Sequence, residues 1–173
     1  MGIRMASVET GKPVMRRAKA EEVPEAFGLI VKRVRWMDEK GIRLWNVLGY
    51  LEIYPESYYS EQQSLGTLYV LETEGRITGT AVLLEQDERW PDTEGSKACY
   101  VHNFATDPAV KGAGRFMLAE IEKLAAARGE QYVRLDCSVD NAFLNQYYGE
   151  MGYELAGTCS EGSYHGNRRE KII

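Results

Sequence analysis

The sequence predicts a mixed α/β domain, one central sheet with helices packed against it. Three observations lead there. Short runs rich in β-branched and aromatic residues recur along the chain, among them Tyr100, Val101 and Phe104 in one and Arg76 to Glu85 in another. Between such runs lie stretches with helical spacing, clearest at Met117, Ile121 and Leu124 with Leu118 and Ala125 beside them. Some strands also follow one another with only a turn between, as at Thr73-Glu74-Gly75, so part of the sheet is built from antiparallel hairpins. At 173 residues, 44% apolar and 27% charged, the chain fills one core and is short for two domains.

Taken in order, Met1 to Lys12 shows neither a signal-peptide core nor periodicity and is expected to be a flexible tail or cloning remnant, with a single domain over 13–173. Pro13 to Ala18 is a first strand. A helix follows, with Glu21 and Glu22 in its first turn, Pro24 where proline is tolerated, and Gly41 as its stop. Val23, Phe27, Ile30 and Val34 line one of its faces. From Ile42 to Gln63 the pattern loosens into an aromatic-rich segment of one or two short helices. Thr67 to Glu72 and Arg76 to Glu85 form a hairpin, and Gln86 to Lys97 is a polar loop around Trp90-Pro91. The strand at Tyr100 breaks at Thr106-Asp107-Pro108, and a helix opens at Gly112 and closes at Gly129. A short strand from Gln131 to Asp136 and a helix from Asn141 follow. Tyr153 to Cys159 and Arg168 to Ile173 complete the sheet around a loop from Glu161 to Asn167.

Charge and composition exclude several classes of function. A net charge of −5 argues against a nucleic-acid partner, which wants a basic face. No apolar run approaches the ~18 residues of a membrane span, so no membrane partner is expected. Cys99, Cys137 and Cys159 are an odd set without paired spacing, which fits reduced thiols of a cytoplasmic protein. With only two histidines, ligands for a zinc ion are short, and no metal site is expected.

The stretch richest in chemistry is Val110-Lys111-Gly112-Ala113-Gly114-Arg115, where a strand runs through glycines into a helix. The first-turn amides of a helix have no internal partner and its N-terminus is the positive end of the dipole, so an anion is stabilised there. Glycines let the backbone approach a phosphate closely, and Lys111 and Arg115 flank it with positive charge. A Walker loop would need Lys and Ser/Thr after the second glycine, and the dinucleotide fingerprint a third glycine where Met117 stands. Two readings are left by these residues alone: a pyrophosphate cradle, or a tight turn into a surface helix.

Downstream lie Leu135-Asp136, then Asn141, then Tyr148 seven residues on, then Gly152-Tyr153. In that order, behind the GxGR loop and its apolar helix, these motifs resemble the GNAT-type N-acetyltransferases, and the resemblance runs from about Val14 to the C-terminus. One departure is Ala109, where the family usually carries Gln or Arg three residues before the first loop glycine. The resemblance implies a mostly antiparallel sheet splayed between its fourth and fifth strands, acetyl-coenzyme A as co-substrate, and a primary amine of a small molecule or peptide as acceptor. It implies that Phe104, Ala105 and Thr106 at the splay, the loop Val110 to Arg115, and Asn141 bind the cofactor. By the same resemblance Tyr148 is the general acid that protonates the departing thiolate. A phenol with pKa near 10 still carries its proton at neutrality.

A base is harder to assign. Histidine is the side-chain type suited to proton transfer near neutrality, which makes His102, in the strand before the loop, the candidate, though a strand histidine can equally be a structural one. The segment corresponding to Ile42 to Gln63 flanks the acceptor in that family, so Trp36, Trp45, Tyr50 and Tyr54 are candidate acceptor-binding residues, with capping of the core as the alternative. A homodimer is compatible with the chain. The alternative function is a coenzyme-A-binding regulatory domain with weak or no catalysis.

Overall fold

The computed structural model describes residues 11–93 and 95–173. The expected tail thus falls mostly outside the described residues, which begin at Gly11. Strand β1 (Val14–Arg17) leads through a 3-10 turn (Ala20–Glu22) into helix α1 (Val23–Lys40). Glu21 and Glu22 therefore sit in the 3-10 turn and not in the first turn of α1, because Glu22 reaches back to the Lys19 amide (2.8 Å). Gly41 ends α1 in the left-handed region at φ 67, as a C-terminal glycine should. The loose aromatic segment forms two short helices, α2 (Tyr50–Ile53) and α3 (Glu56–Ser64). The hairpin β2 (Leu68–Thr73) and β3 (Arg76–Leu84) follows, then β4 (Ala98–Thr106), α4 (Ala113–Ala127), β5 (Tyr132–Ser138), α5 (Ala142–Glu150), β6 (Glu154–Glu161) and β7 (Tyr164–Ile172).

The strands make one seven-stranded sheet in the order β1-β2-β3-β4-β5-β7-β6. All neighbours are antiparallel except β4 and β5. These two pair only over Ala98↔Tyr132, Cys99↔Val133 and Tyr100↔Arg134 and then part, so the rest of each strand borders an open wedge. The expected architecture, including the splay, is what the chain adopts. A second expectation is corrected. Glu161 to Asn167 is not a loop, because β6 and β7 pair to their tip at Glu161↔Tyr164, turning on Gly162 at φ 57. Polar residues such as His165 and Asn167 hide a strand there, since an outer hairpin buries little on either face.

Two cores lie on opposite faces of the sheet. On one, Met117, Leu118, Ile121 and Ala125 of α4 and Tyr148 of α5 pack on Cys99, Val101, Val133 and Leu135. On the other, Ala26, Ile30 and Tyr59 from α1 and α3 pack on Leu68, Val70, Val82 and Ala105. Strict alternation would put Ala105 on the same face as Cys99 and Val101. It does not, because β4 carries an extra residue: Thr80 faces Ala105 while Val82 faces His102. The bulge is at Asn103, whose φ of 49 is left-handed, a conformation asparagine tolerates better than most residues. This kink stands at the mouth of the wedge.

Candidate active site

The wedge between β4 and β5 opens into a cleft of about 1050 Å³. It extends from the glycine loop, past Tyr148 and the free edges of both strands, to the aromatic residues between α1 and α3.

At the loop end, Gly112 is the N-cap residue of α4 at φ 79, a conformation that suits glycine. No described side chain caps this helix, and no acidic residue stands in its first turn. Uncapped amides at a dipole's positive end, with no acidic residue in their own turn, can hold an anion, while Arg115 is in contact with Glu150 of α5 at 3.5 Å. The two glycines are needed for different reasons. A Cβ on Gly112 would meet open space, so its φ alone demands glycine. A Cβ on Gly114 would lie 2.9 Å from the Tyr147 hydroxyl, so the Tyr147 side chain would have to shift to admit one. Arg115 lies over the Tyr147 ring at 5.3 Å, and that ring stacks against Phe143 at 6.0 Å. Behind the loop, Arg33 of α1 donates to the Thr106 carbonyl at 2.6 Å and Lys32 holds the Asp107 carboxylate at 2.8 Å. Asp107 also accepts from the Ala109 amide at 2.9 Å, which ties the position lacking the family's usual Gln or Arg to the end of β4.

The structure brings Phe104, Ala105, Thr106, Val110, Gly112, Gly114, Arg115, Asn141 and Tyr148 to the cleft. Lys111 and Ala113 instead line a separate hollow of about 220 Å³ with Pro13 and Phe116. Lys111 flanks the loop from outside the cleft. Asn141 is the N-cap of α5, its side chain accepting from the Leu144 amide at 3.0 Å. Tyr148 is buried against Cys137 and Tyr153 yet borders the cleft. Burial raises its phenol above the ordinary value, so the proton stays in place through the neutral range.

At the far end, Trp36, Trp45, Tyr50 and Tyr54 all line the cleft. Trp45 stacks on Tyr50 at 4.2 Å and Tyr50 meets Tyr54 at 4.8 Å. Three of them also pack against the second core, so cap and wall are the same residues. Asn103, buried in the bulge, donates to the Tyr50 hydroxyl at 2.6 Å and accepts from Tyr58 at 3.0 Å, fastening this wall to β4. Burial pushes the Tyr50 phenol well above its ordinary value.

Opposite stands a polar group that sequence reasoning missed. The polar loop before β4 is pinned by Trp90, 4% exposed, against Tyr100 and beneath the guanidinium groups of Arg134 (5.1 Å) and Arg168 (4.9 Å). Pinning carries Asp87 and Arg89 to the wedge. Arg89 reaches both Asp136 of β5 (3.4 Å) and Glu161 at the hairpin tip, and Tyr164 donates to Asp136 at 2.6 Å. His102 borders the cleft with Nε2 2.9 Å from Asp87 Oδ2. The contact lies off the ring N–H axis, so it is an electrostatic contact more than an aligned hydrogen bond. A tryptophan inside an otherwise polar loop was the one available signal that the loop packs. His165, on β7, is exposed and contacts Ser160 at 2.9 Å, away from the cleft.

The fold is shared with known enzymes. The chain is similar to an acetyltransferase of the GNAT family from Listeria monocytogenes 4b F2365, with TM-score 0.77 and 23% identity over 93% of this chain and 95% of that one. The PaiA N-acetyltransferase of Thermoplasma acidophilum, solved in complex with coenzyme A, is similar with TM-score 0.74 and 14% identity over 94% of this chain and all (100%) of that one. In sequence the chain is 25% identical over 152 residues to the uncharacterized N-acetyltransferase YesJ of Bacillus subtilis (strain 168), covering 84% of this chain and 83% of that protein. The model of the Acetyltransferase (GNAT) family matches residues 33–153, a span that opens at Arg33 behind the loop and closes at Tyr153 after α5. The glycine loop, the splayed strands and all of the cleft lining but the β6–β7 tip lie within that match: the chain belongs to the GNAT acetyltransferase family and is an acyltransferase.

Proposed function

We propose that this enzyme transfers the acetyl group of acetyl-coenzyme A to a primary amine of a small molecule or peptide, by direct attack while both are bound. The observation that carries the reading is the continuity of the cleft: one cavity joins the anion-holding loop, the unpaired β4 edge, Tyr148 and an aromatic wall. Coenzyme A supplies an activated thioester and a pyrophosphate. The uncapped amides at Gly114 and Arg115, with the Arg115 charge, suit the pyrophosphate, and the PaiA relative was solved with coenzyme A.

The chain's own residues then divide the work. The free backbone of β4 at Phe104 to Thr106 offers amides to pantetheine and to the developing oxyanion. His102 takes a proton from the bound ammonium, leaving a neutral amine to attack, and passes that proton to water. Tyr148 donates its proton to the departing sulfur, and its phenolate recovers one from the nitrogen as the amide forms. Burial makes the phenol a weaker acid, but the same burial raises the basicity of a thiolate formed beside it. Trp45, Tyr50 and Tyr54 hold the acceptor's body, aromatic faces being favourable to both apolar chains and cations.

The test is thiol release from acetyl-coenzyme A with a panel of amines, here phenethylamine, 1,4-diaminobutane, a lysine peptide and free amino acids, run beside acetyl-coenzyme A calorimetry. Binding with turnover on at least one amine supports the reading. Binding without turnover on any amine overturns it.

A further inference from the structure

We infer that Asp87 is the positioning residue of the general base, holding His102 in the tautomer and orientation that take the acceptor's proton. The inference rests on the proposed role of His102.

The carboxylate is fixed before any substrate arrives. Its Oδ1 accepts the Arg89 amide at 2.9 Å, and the Asp87 carbonyl accepts the Trp90 amide at 3.0 Å, with Trp90 itself buried. That leaves Oδ2 beside His102 Nε2, 2.9 Å away in electrostatic contact, with the two side chains only 8% and 15% exposed. A carboxylate beside an imidazole nitrogen favours the tautomer with hydrogen on that nitrogen. Nε2–H towards Asp87 leaves the lone pair on Nδ1, which meets no side-chain partner among the described residues, while the residue borders the cleft. When Nδ1 takes a proton, the imidazolium gains the adjacent negative charge, as in other histidine–carboxylate pairs. Asp87 is not itself protonated: burial pushes its carboxyl up, but His102 and the Arg89 amide bring it below the ordinary range, so the charge is present.

Other charged groups at this end are already engaged. Arg89 comes from the same connection, Asp136 from β5 and Glu161 from the β6–β7 tip, and Arg89 contacts both carboxylates. Sequence spacing hides the pair, because fifteen positions and a turn of chain separate Asp87 from His102.

The test is a double-mutant cycle with Asp87→Asn, His102→Asn and the two combined, assayed with acetyl-coenzyme A and the best acceptor of the amine panel. Asp87→Ser is made in parallel, so that one folded Asp87 variant suffices, and melting curves certify folding. We expect Asp87→Asn to lower kcat roughly 10- to 100-fold, part of the ~10²–10⁴ that a general base contributes, with both KM values within about twofold. On the His102→Asn background it should cost nothing further. Equal kcat in Asp87→Asn and wild type, or losses that multiply in the double variant, would overturn the inference while leaving the proposed function standing. An unchanged kcat in His102→Asn would instead remove the base itself.

Discussion

The two ends of the cleft are built on different principles. The loop end is made of backbone: a glycine at φ 79, the free amides of one helix, and strand edges that have parted. Its parts are contiguous in the chain. The far end is made of side chains from α1 and from the segment before α3, from the connection before β4, from the bulge, and from the β6–β7 tip. Backbone geometry recognises what every acyl-coenzyme A shares. On the proposed reading, the side chains gathered from distant segments select the acceptor, as loops and element ends carried by a rigid scaffold commonly do.

Tyr148, at the junction, allows the largest break. Tyr148→Phe keeps the packing and removes one hydroxyl, so kcat should fall by roughly 10²–10⁴. Acetyl-coenzyme A affinity should stay within about 1 kcal/mol, one hydrogen bond's worth. Steady-state kinetics from pH 6 to 9 with calorimetry decide it: a constant kcat would make Tyr148 a core aromatic only.

The glycines sharpen the backbone end. Gly112→Val and Gly114→Val should each weaken acetyl-coenzyme A binding by about 1–3 kcal/mol through lost amide contact and clash. Their causes should separate. Gly112→Ala carries a left-handed penalty of about 1–2 kcal/mol that no neighbour can relieve. Gly114→Ala presses on the Tyr147 hydroxyl 2.9 Å away, so Tyr147→Ala should restore its affinity. Failure to restore it would mean that the ligand itself needs the space.

At the side-chain end, Trp45→Ala removes the stacking partner of Tyr50. The acceptor KM should rise roughly tenfold, about 1.4 kcal/mol, while the acetyl-coenzyme A KM stays level. A lowered melting temperature with both KM values intact would leave Trp45 as a cap of the core.

The smallest effect is expected outside the cleft. Glu22 is held down to about 2 by the Arg16 guanidinium, 2.6 Å away, against some opposition from burial. A depressed carboxyl contributes stability above its ordinary range and loses it as pH falls towards that lowered value. Glu22→Gln should therefore cost about 1 kcal/mol at pH 7, the upper range for a partly screened pair. The gap to wild type in thermal melts should close as pH drops from about 4.5 towards 2, with activity at pH 7 unchanged.

Much of the loop end was legible because its signals are local. Gly112, Gly114 and the Met117–Ile121–Leu124 stripe lie in one stretch, and Asn141 with Tyr148 lies in one helix. The far end was not. The aromatics could be named but not divided between wall and cap, since Tyr50 and Trp45 serve as both. Asp87 and Arg89 carried no spacing signal, and Tyr164 lay in what reads as a loop. The bulge left a faint trace: Val101 and Phe104 are three apart where alternation asks for two, with Asn103 between them.

By itself the sequence determined the order of helices and strands and the glycine turn into α4, because backbone propensity and helical periodicity act within a few residues; Asn141 and Tyr148 were named through the family resemblance. Tertiary structure alone decided that Lys111 turns away from the cleft, that Tyr147 occupies the space over Gly114, and that Asp87 meets His102. Those outcomes depend on strand register, on the extra residue at Asn103 and on Trp90 seating its loop, and each is settled by packing between segments far apart in the chain.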